Sequence, residues 1–257
     1  MTRLSADELV DHALEAPFRG WDFSALGDRI VLDPPPWRFE ELVDGEAARA
    51  RSMLDMGTGG GEWLSMREHA RLTVATESWS PNVPVAAARL RGLGVALVHD
   101  EGARDNAEQS LHEPRGRLAF RRGAFDLVVN RHESFVALEV RRVLRDSGVF
   151  ITQQAGSGAG DFHELLGLDP PSDSDFHIEL AAEQLERAGL RVEQSEVGPA
   201  TTVFADIGAL AWYLTNVPWA VSDFSVERHR EALLRLHGGG PIRVVSERFW
   251  LRARVDG

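Results

Sequence analysis

The stretch Met53–Leu64, MLDMGTGGGEWL, decides the fold. Met53, Leu54 and Met56 supply the apolar side of a short buried strand. Gly57, Gly59, Gly60 and Gly61 follow as a loop with almost no side chains. Glycine serves where backbone needs unusual dihedrals or must let a ligand come close. Glu62, Trp63 and Leu64 open a segment expected to be helical. Strand, glycine loop and helix in that order begin a nucleotide-binding βαβ unit. A dinucleotide fingerprint requires glycine at the first, third and sixth loop positions. Counted from Gly57, the third is Gly59 but the sixth is Glu62, and an acid, Asp55, enters the loop. A carboxylate there repels a pyrophosphate and suits a ligand carrying an ammonium and a sulfonium.

Composition narrows the class. The 257 residues suffice for one large α/β domain, and 43% hydrophobic with 26% charged residues is ordinary for a globular protein. Cysteine is absent, which excludes disulfides, a thiolate nucleophile and a cysteine–zinc site. No apolar run reaches the roughly 18 residues of a membrane span, and MTRLSADELVDH lacks the apolar core of a signal peptide. The expectation is a cytoplasmic protein that meets no membrane. A formal net charge of −12 opposes nucleic-acid binding. The one basic run, Arg115–Arg122, reads as a solvated loop.

Outward from the loop, residues 1–50 are expected to form an N-terminal helical cap and residues 51–257 the main domain. Ser5 and Glu8 have capping-box spacing for a helix over residues 5–16. Pro34–Pro36 mark a boundary before a second helix near Arg38–Val43. After the loop, Leu72–Thr76 is a strand ending at Glu77, twenty residues beyond Gly57. At that distance a nucleotide fold places an acid on the ribose hydroxyls. A helix starting near Pro84, a strand Val95–Val98 and an irregular polar segment 101–118 follow. Phe125–Asn130 is a buried strand ending in the polar run Asn130–Glu133. A helix carrying Val136, Val140, Val143 and Leu144 and a strand Val149–Gln153 come next.

The acid-x-Gly-x-Gly-x-Gly run at Asp55–Gly61, Glu77, and GAFDLVVNRHESFVALEVRRVLRDSGVFITQ at residues 123–153 stand in the order of class I S-adenosylmethionine-dependent methyltransferases. The chain resembles that family, in its type 11 form, over roughly residues 50–155. The resemblance implies a Rossmann-like, doubly wound α/β fold. Its sheet would have seven mostly parallel strands and an antiparallel C-terminal edge hairpin. The cofactor implied is S-adenosylmethionine, with S-adenosylhomocysteine as product. The residues implied to hold it are Asp55, Gly57, Thr58, Gly59, Gly61, Glu77, Ser78, Asp100, Asn130 and Arg131, with Asp100 toward the adenine amino group.

Beyond residue 155 the pattern predicts a helix over Phe176–Ala188, strands at Leu190–Val197 (continuing at Thr201–Phe204) and Arg243–Arg254, and an insertion over about 205–240 between them. Within the insertion, helices are expected near Ile207–Thr215 and Val226–Leu236. Insertions at this place commonly shape substrate pockets in the resembling family. Trp21 and Trp37 from the cap, with Trp212, Tyr213 and Trp219 from the insertion, are the candidate acceptor contacts. Methyl transfer from a sulfonium is an in-line displacement that needs positioning rather than a metal, and no metal is expected; His163 and His177 qualify as ligands by residue type alone. If a general base is used, His132 is the first candidate and Glu133 the second. The function expected is methyl transfer to a small-molecule acceptor. RNA or DNA methylation, non-catalytic cofactor binding and nicotinamide-dependent reduction are the alternatives. Acceptor and oligomeric state are not legible.

Overall fold

The computed structural model describes residues 4–103, 106, 116–156, 162–169 and 176–256. Eight strands make one sheet: β1 (Ile30–Asp33), β2 (Ser52–Met56), β3 (Leu72–Glu77), β4 (Ala96–His99), β5 (Phe125–Arg131), β6 (Leu144–Ala155), β7 (Leu190–Phe204) and β8 (Ile242–Val255). Their spatial order is β1-β7-β8-β6-β5-β2-β3-β4. The pairs from β6 through β5, β2 and β3 to β4 are parallel, so five strands end along one rim. The remaining pairs, β6–β8, β8–β7 and β7–β1, are antiparallel. The chain steps outward from β2 to β3 and β4, then returns to the other side of β2 at β5. That reversal between β2 and β5 is the switch point where such sheets bind ligands.

Helices cover both faces. α2 (Phe39–Ala47) and α3 (Val83–Leu90) cover one, where Phe39, Val43, Leu90 and Leu64 pack on Met53, Ala75, Leu127 and Val129. α4 (Ala137–Val143) and α6 (Ile178–Arg187) cover the other, against Leu54, Val128 and Phe150. α1 (Ala6–Leu14), α5 (Phe162–Leu166), α7 (Ile207–Asn216) and α8 (Arg230–Leu236) gather in a third core around Trp212 and Phe204. α1 begins with the expected capping box: Glu8 N–H donates to Ser5 Oγ at 3.3 Å and Ser5 N–H to Glu8 Oε2 at 2.8 Å. No helix among the described residues is long and apolar enough to cross a membrane.

The doubly wound sheet and its antiparallel edge are as expected, with three differences of detail. The sheet has eight strands rather than seven. Ile30–Asp33 pairs antiparallel with Thr201–Phe204, and the bidentate Arg29–Asp206 pair (3.0 and 2.7 Å) fixes that register. The first fifty residues therefore contribute a strand of the sheet as well as helices. Second, the glycine loop leads only to a 3-10 turn, Leu64–Met66, where a helix was expected. The space such a helix would fill is taken from upstream by α2, and the chain turns extended at Arg67 (φ −105°, ψ 162°) toward β3. Third, α4 stops at Val143. Asp146–Ser147–Gly148, read as a helix end, lies within β6, where Ser147 is left-handed (φ 62°) and the pairing shifts register opposite Phe125–Leu127. β7 is continuous through Pro199; β1 reaches only to Thr201, so at Pro199 this strand is an edge, where proline is tolerated.

Candidate functional site

The rim at the switch point carries the site. Gly57, at the tip of β2, has φ +68° and Gly59 has φ +64°, backbone in which a side chain is strained. Space forbids one as well. A Cβ on Gly57 would lie 2.5 Å from Glu133 Cβ, and one on Gly59 would lie 2.4 Å from Trp21 Cδ1. The loop is held from behind by Thr58 N–H donating to the Thr76 carbonyl at 2.8 Å. Arg89 of α3 clasps its far side, donating to the Gly60 carbonyl and pairing with Glu62.

Three carboxylates stand around this loop. Asp55 is 2% exposed, and burial pushes its carboxyl up to about 7. Glu77 is 4% exposed at the end of β3; it accepts the Trp79 N–H at 2.7 Å, and burial raises its pKa. Glu133 reaches across the ends of β2, β3 and β4. It lies against Gly57, accepts from Ser78 Oγ at 3.5 Å, and its Oε1 would be 2.8 Å from a Cβ on Gly102. Burial, with the nearby charge of Glu77, pushes the Glu133 carboxyl up to about 7. A general base works best with a pKa near the working pH, and Glu133 has that property.

His132 differs. It holds a left-handed backbone (φ 64°), and its Nε2 lies 3.2 Å from Gln153 Nε2, whose Oε1 accepts from Trp37 Nε1 at 2.8 Å. His132 is exposed at the end of β5. Desolvation by the protein on its other side, with the guanidiniums of Arg131 and Arg248, holds its pKa well below 6.5. His132 is therefore a neutral imidazole at pH 7 and a weaker base than Glu133.

The other expected cofactor residues divide. Arg131 shares the face of Asp55 and stacks over the Trp63 ring at 5.6 Å. Asn130 points to the opposite face, where its Oδ1 accepts from Gln154 Nε2 at 2.6 Å and Thr152 Oγ1 at 3.2 Å. Asp100 braces its own loop, accepting the N–H groups of Gly102 at 3.1 Å and Ala119 at 3.2 Å. Thr58 is buried within the loop and Gly61 (φ +77°) closes it. The irregular segment 101–118 and the basic run from Arg115 fall largely outside the described residues. His177 caps α6, accepting from Leu180 N–H at 3.3 Å.

Of the aromatic candidates, Trp21 sits on the glycine loop, 38% exposed, with Trp219 edge-on at 5.2 Å. Trp37 reaches the cleft through Gln153, and Tyr213 packs between Phe23, Phe162 and Phe204. Trp212 is 1% exposed and donates its indole N–H to the Ala16 carbonyl at 3.0 Å, so it is part of the core rather than of a pocket wall. Sequence reasoning passed over Arg248 and Gln153. Arg248 shares the face of Trp250 on β8, so an arginine at an inward position of an alternating strand was the available signal.

No protein-family model matches the sequence, and no curated protein matches it. Solved structures do. A Bacillus halodurans C-125 protein provisionally described as a methyltransferase is 19% identical, with TM-score 0.55 over 85% of this chain and 99% of that one. The YcgJ protein of Bacillus subtilis is 16% identical, with TM-score 0.55 over 85% and 98%. A functionally unknown Deinococcus radiodurans R1 protein is 14% identical, with TM-score 0.55 over 89% and 94%. At these identities the likeness is one of fold, and it is the fold of class I methyltransferases.

Proposed function

We propose that the chain is a methyltransferase that uses S-adenosylmethionine and acts on a small-molecule acceptor. The observation that carries this reading is the pairing of a left-handed glycine loop with buried carboxylates at the switch point of the parallel sheet. Asp55, Glu77 and Glu133 give the rim a negative field, which favours a ligand with a sulfonium and an ammonium. In this reading Glu77, at the end of β3, accepts the ribose hydroxyls, and the side-chain-free Gly57 and Gly59 leave the backbone open to a ligand. The chemistry of the donor set fits the cofactor. Trp21 and Glu133 lie against the loop.

The bound cofactor would supply an already activated methyl group for in-line displacement. The chain's own residues hold the two reactants close and exclude water, and in this reading Trp21, which lies on the loop with Trp219 against it, is the shield. An acceptor that arrives protonated can lose its proton to Glu133, whose carboxyl titrates near neutrality.

A thermal-shift titration with S-adenosylmethionine, S-adenosylhomocysteine, NADH and NADPH tests the reading. A ligand at about 100 times its dissociation constant stabilises by roughly 2.7 kcal/mol. With an unfolding entropy of about 0.5 kcal/mol/K for a chain of this length, that is a shift of about 5 °C. The adenosyl ligands are expected to shift the transition and the nicotinamides not. A shift with the nicotinamides alone would bring the reductase forward.

A further inference from the structure

The far half of the cleft has the opposite sign from the glycine loop. Arg248 lies on β8 opposite Ala155, next to the C-terminal end of β6. Its Nη1 donates to the carbonyl of its own neighbour Glu247 at 2.9 Å, and it stands in no ion pair among the described residues. Around it are Tyr213 of α7 and His132 at the end of β5, each within reach of its charge. Arg131 adds a second guanidinium on this side, but it has the Trp63 ring beneath it and Glu40 and Asp55 nearby. Among the described residues Arg248 has no such acid. It is half-buried on β8, a cation partly out of water with no anion against it among those residues. Buried charges are ordinarily paired, and an arginine fork matches a carboxylate's two oxygens.

We propose that this half of the cleft binds an acceptor carrying an anionic group, a carboxylate, and that Arg248 is the specificity residue that reads it, with the Tyr213 hydroxyl as second donor. The inference deepens the methyl-transfer reading by naming the acceptor's class, and it rests on that reading for the word acceptor alone. The two halves are complementary: carboxylates over β2, β3 and β4 for a cationic cofactor, a guanidinium beside β6 for an anionic partner. Opposite charges on the two ligands also draw them together.

The test uses the full chain with S-adenosylhomocysteine present and three probes of one shape: benzoate, benzamide and benzylammonium. Binding is read by ligand-observed NMR titration. Benzoate is expected to bind at least about tenfold tighter than benzamide, the factor a charge-assisted hydrogen bond supplies. Benzylammonium is expected not to bind there. Arg248→Gln should erase the preference for benzoate, Arg248→Lys should keep part of it, and Tyr213→Phe should weaken benzoate by a few-fold. Equal affinity for benzoate and benzamide, a preference that survives Arg248→Gln, or no benzoate binding to the wild-type chain would each overturn the proposal. If Arg248→Gln does not fold, the wild-type ratio and Tyr213→Phe still decide. An absent thermal shift with the adenosyl ligands would sink methyl transfer and leave the anion site standing; the reverse pattern would separate them the other way.

Discussion

Replacing Gly59 with alanine tests the placement of Trp21 on the glycine loop. At φ +64° a side chain costs roughly 1–2 kcal/mol of backbone strain. The new methyl would stand 2.4 Å from Trp21 Cδ1, so the indole must leave. Trp21 packs against Phe18 at 5.6 Å, Phe23 at 6.0 Å and Trp219 at 5.2 Å, and losing such ring pairs costs on the order of 1–2 kcal/mol. Gly59→Ala should therefore destabilise by about 2–4 kcal/mol, lowering Tm by roughly 4–7 °C for a chain of this length. A double-mutant cycle isolates the steric part. In a Trp21→Ala background, Gly59→Ala should cost only the strain of about 1–2 kcal/mol, leaving a coupling of similar size. Gly45→Ala, inside α2 with open space around it, is the control and should stabilise by about 0.5–1 kcal/mol. Urea denaturation of the four chains measures the cycle. Additive costs would refute the reasoning, because Trp21 would then not lie on the loop.

Three further outcomes are expected. Asp55 and Glu133 have folded pKa values near 7, above their ordinary 3.8 and 4.5. The stability each contributes is thus fully present below those ordinary values and is lost as pH rises through 7; Asp55→Asn should flatten part of the fall in urea midpoint between pH 5 and 8, and an unchanged slope would show that Asp55 does not titrate there. Arg29→Ala should cost about 2–3 kcal/mol, because it strands the partly buried Asp206; Asp206→Ala should cost more, since Asp206 also caps α7 by accepting the Ala209 N–H at 3.0 Å. His132→Ala should slow methyl transfer while leaving the dissociation constant for S-adenosylmethionine within about twofold, whereas Glu133→Gln should affect both; equal turnover after His132→Ala would remove His132 from the reacting end of the cleft.

The glycine loop was legible because its chemistry is local. Asp55, the glycine spacing and Glu77 lie within one strand–loop–strand segment, and the strands around them are short apolar runs with clear ends. Residues whose role depends on distant partners were not legible. Ile30–Asp33 has no strand signature beyond two branched residues, and its partner in the sheet lies some 170 residues away. The helix expected after Leu64 is missing because α2, about twenty residues upstream, already covers that face. Arg248 was passed over because the alternation of β8 alone does not say which of its faces is buried; the packing of Trp250 on the same face does. Trp212 and Trp219 have equal claims in sequence, yet one is 1% exposed and the other 66%. Asn130 illustrates the period-two rule of strands: one residue from Arg131, it serves the opposite face.

The short turn Leu64–Met66 has a consequence for the company this protein keeps. In phosphate-binding loops the helix behind the glycines aligns its peptide dipoles on the ligand and contributes about half a positive charge. A 3-10 turn of three residues has no such stack, and here carboxylates stand where that partial charge would be. ATP, NAD and their relatives share an adenosine with the proposed cofactor. At this loop their phosphates would meet repulsion and no compensating dipole. The cofactor proposed above carries no phosphate and needs no such dipole.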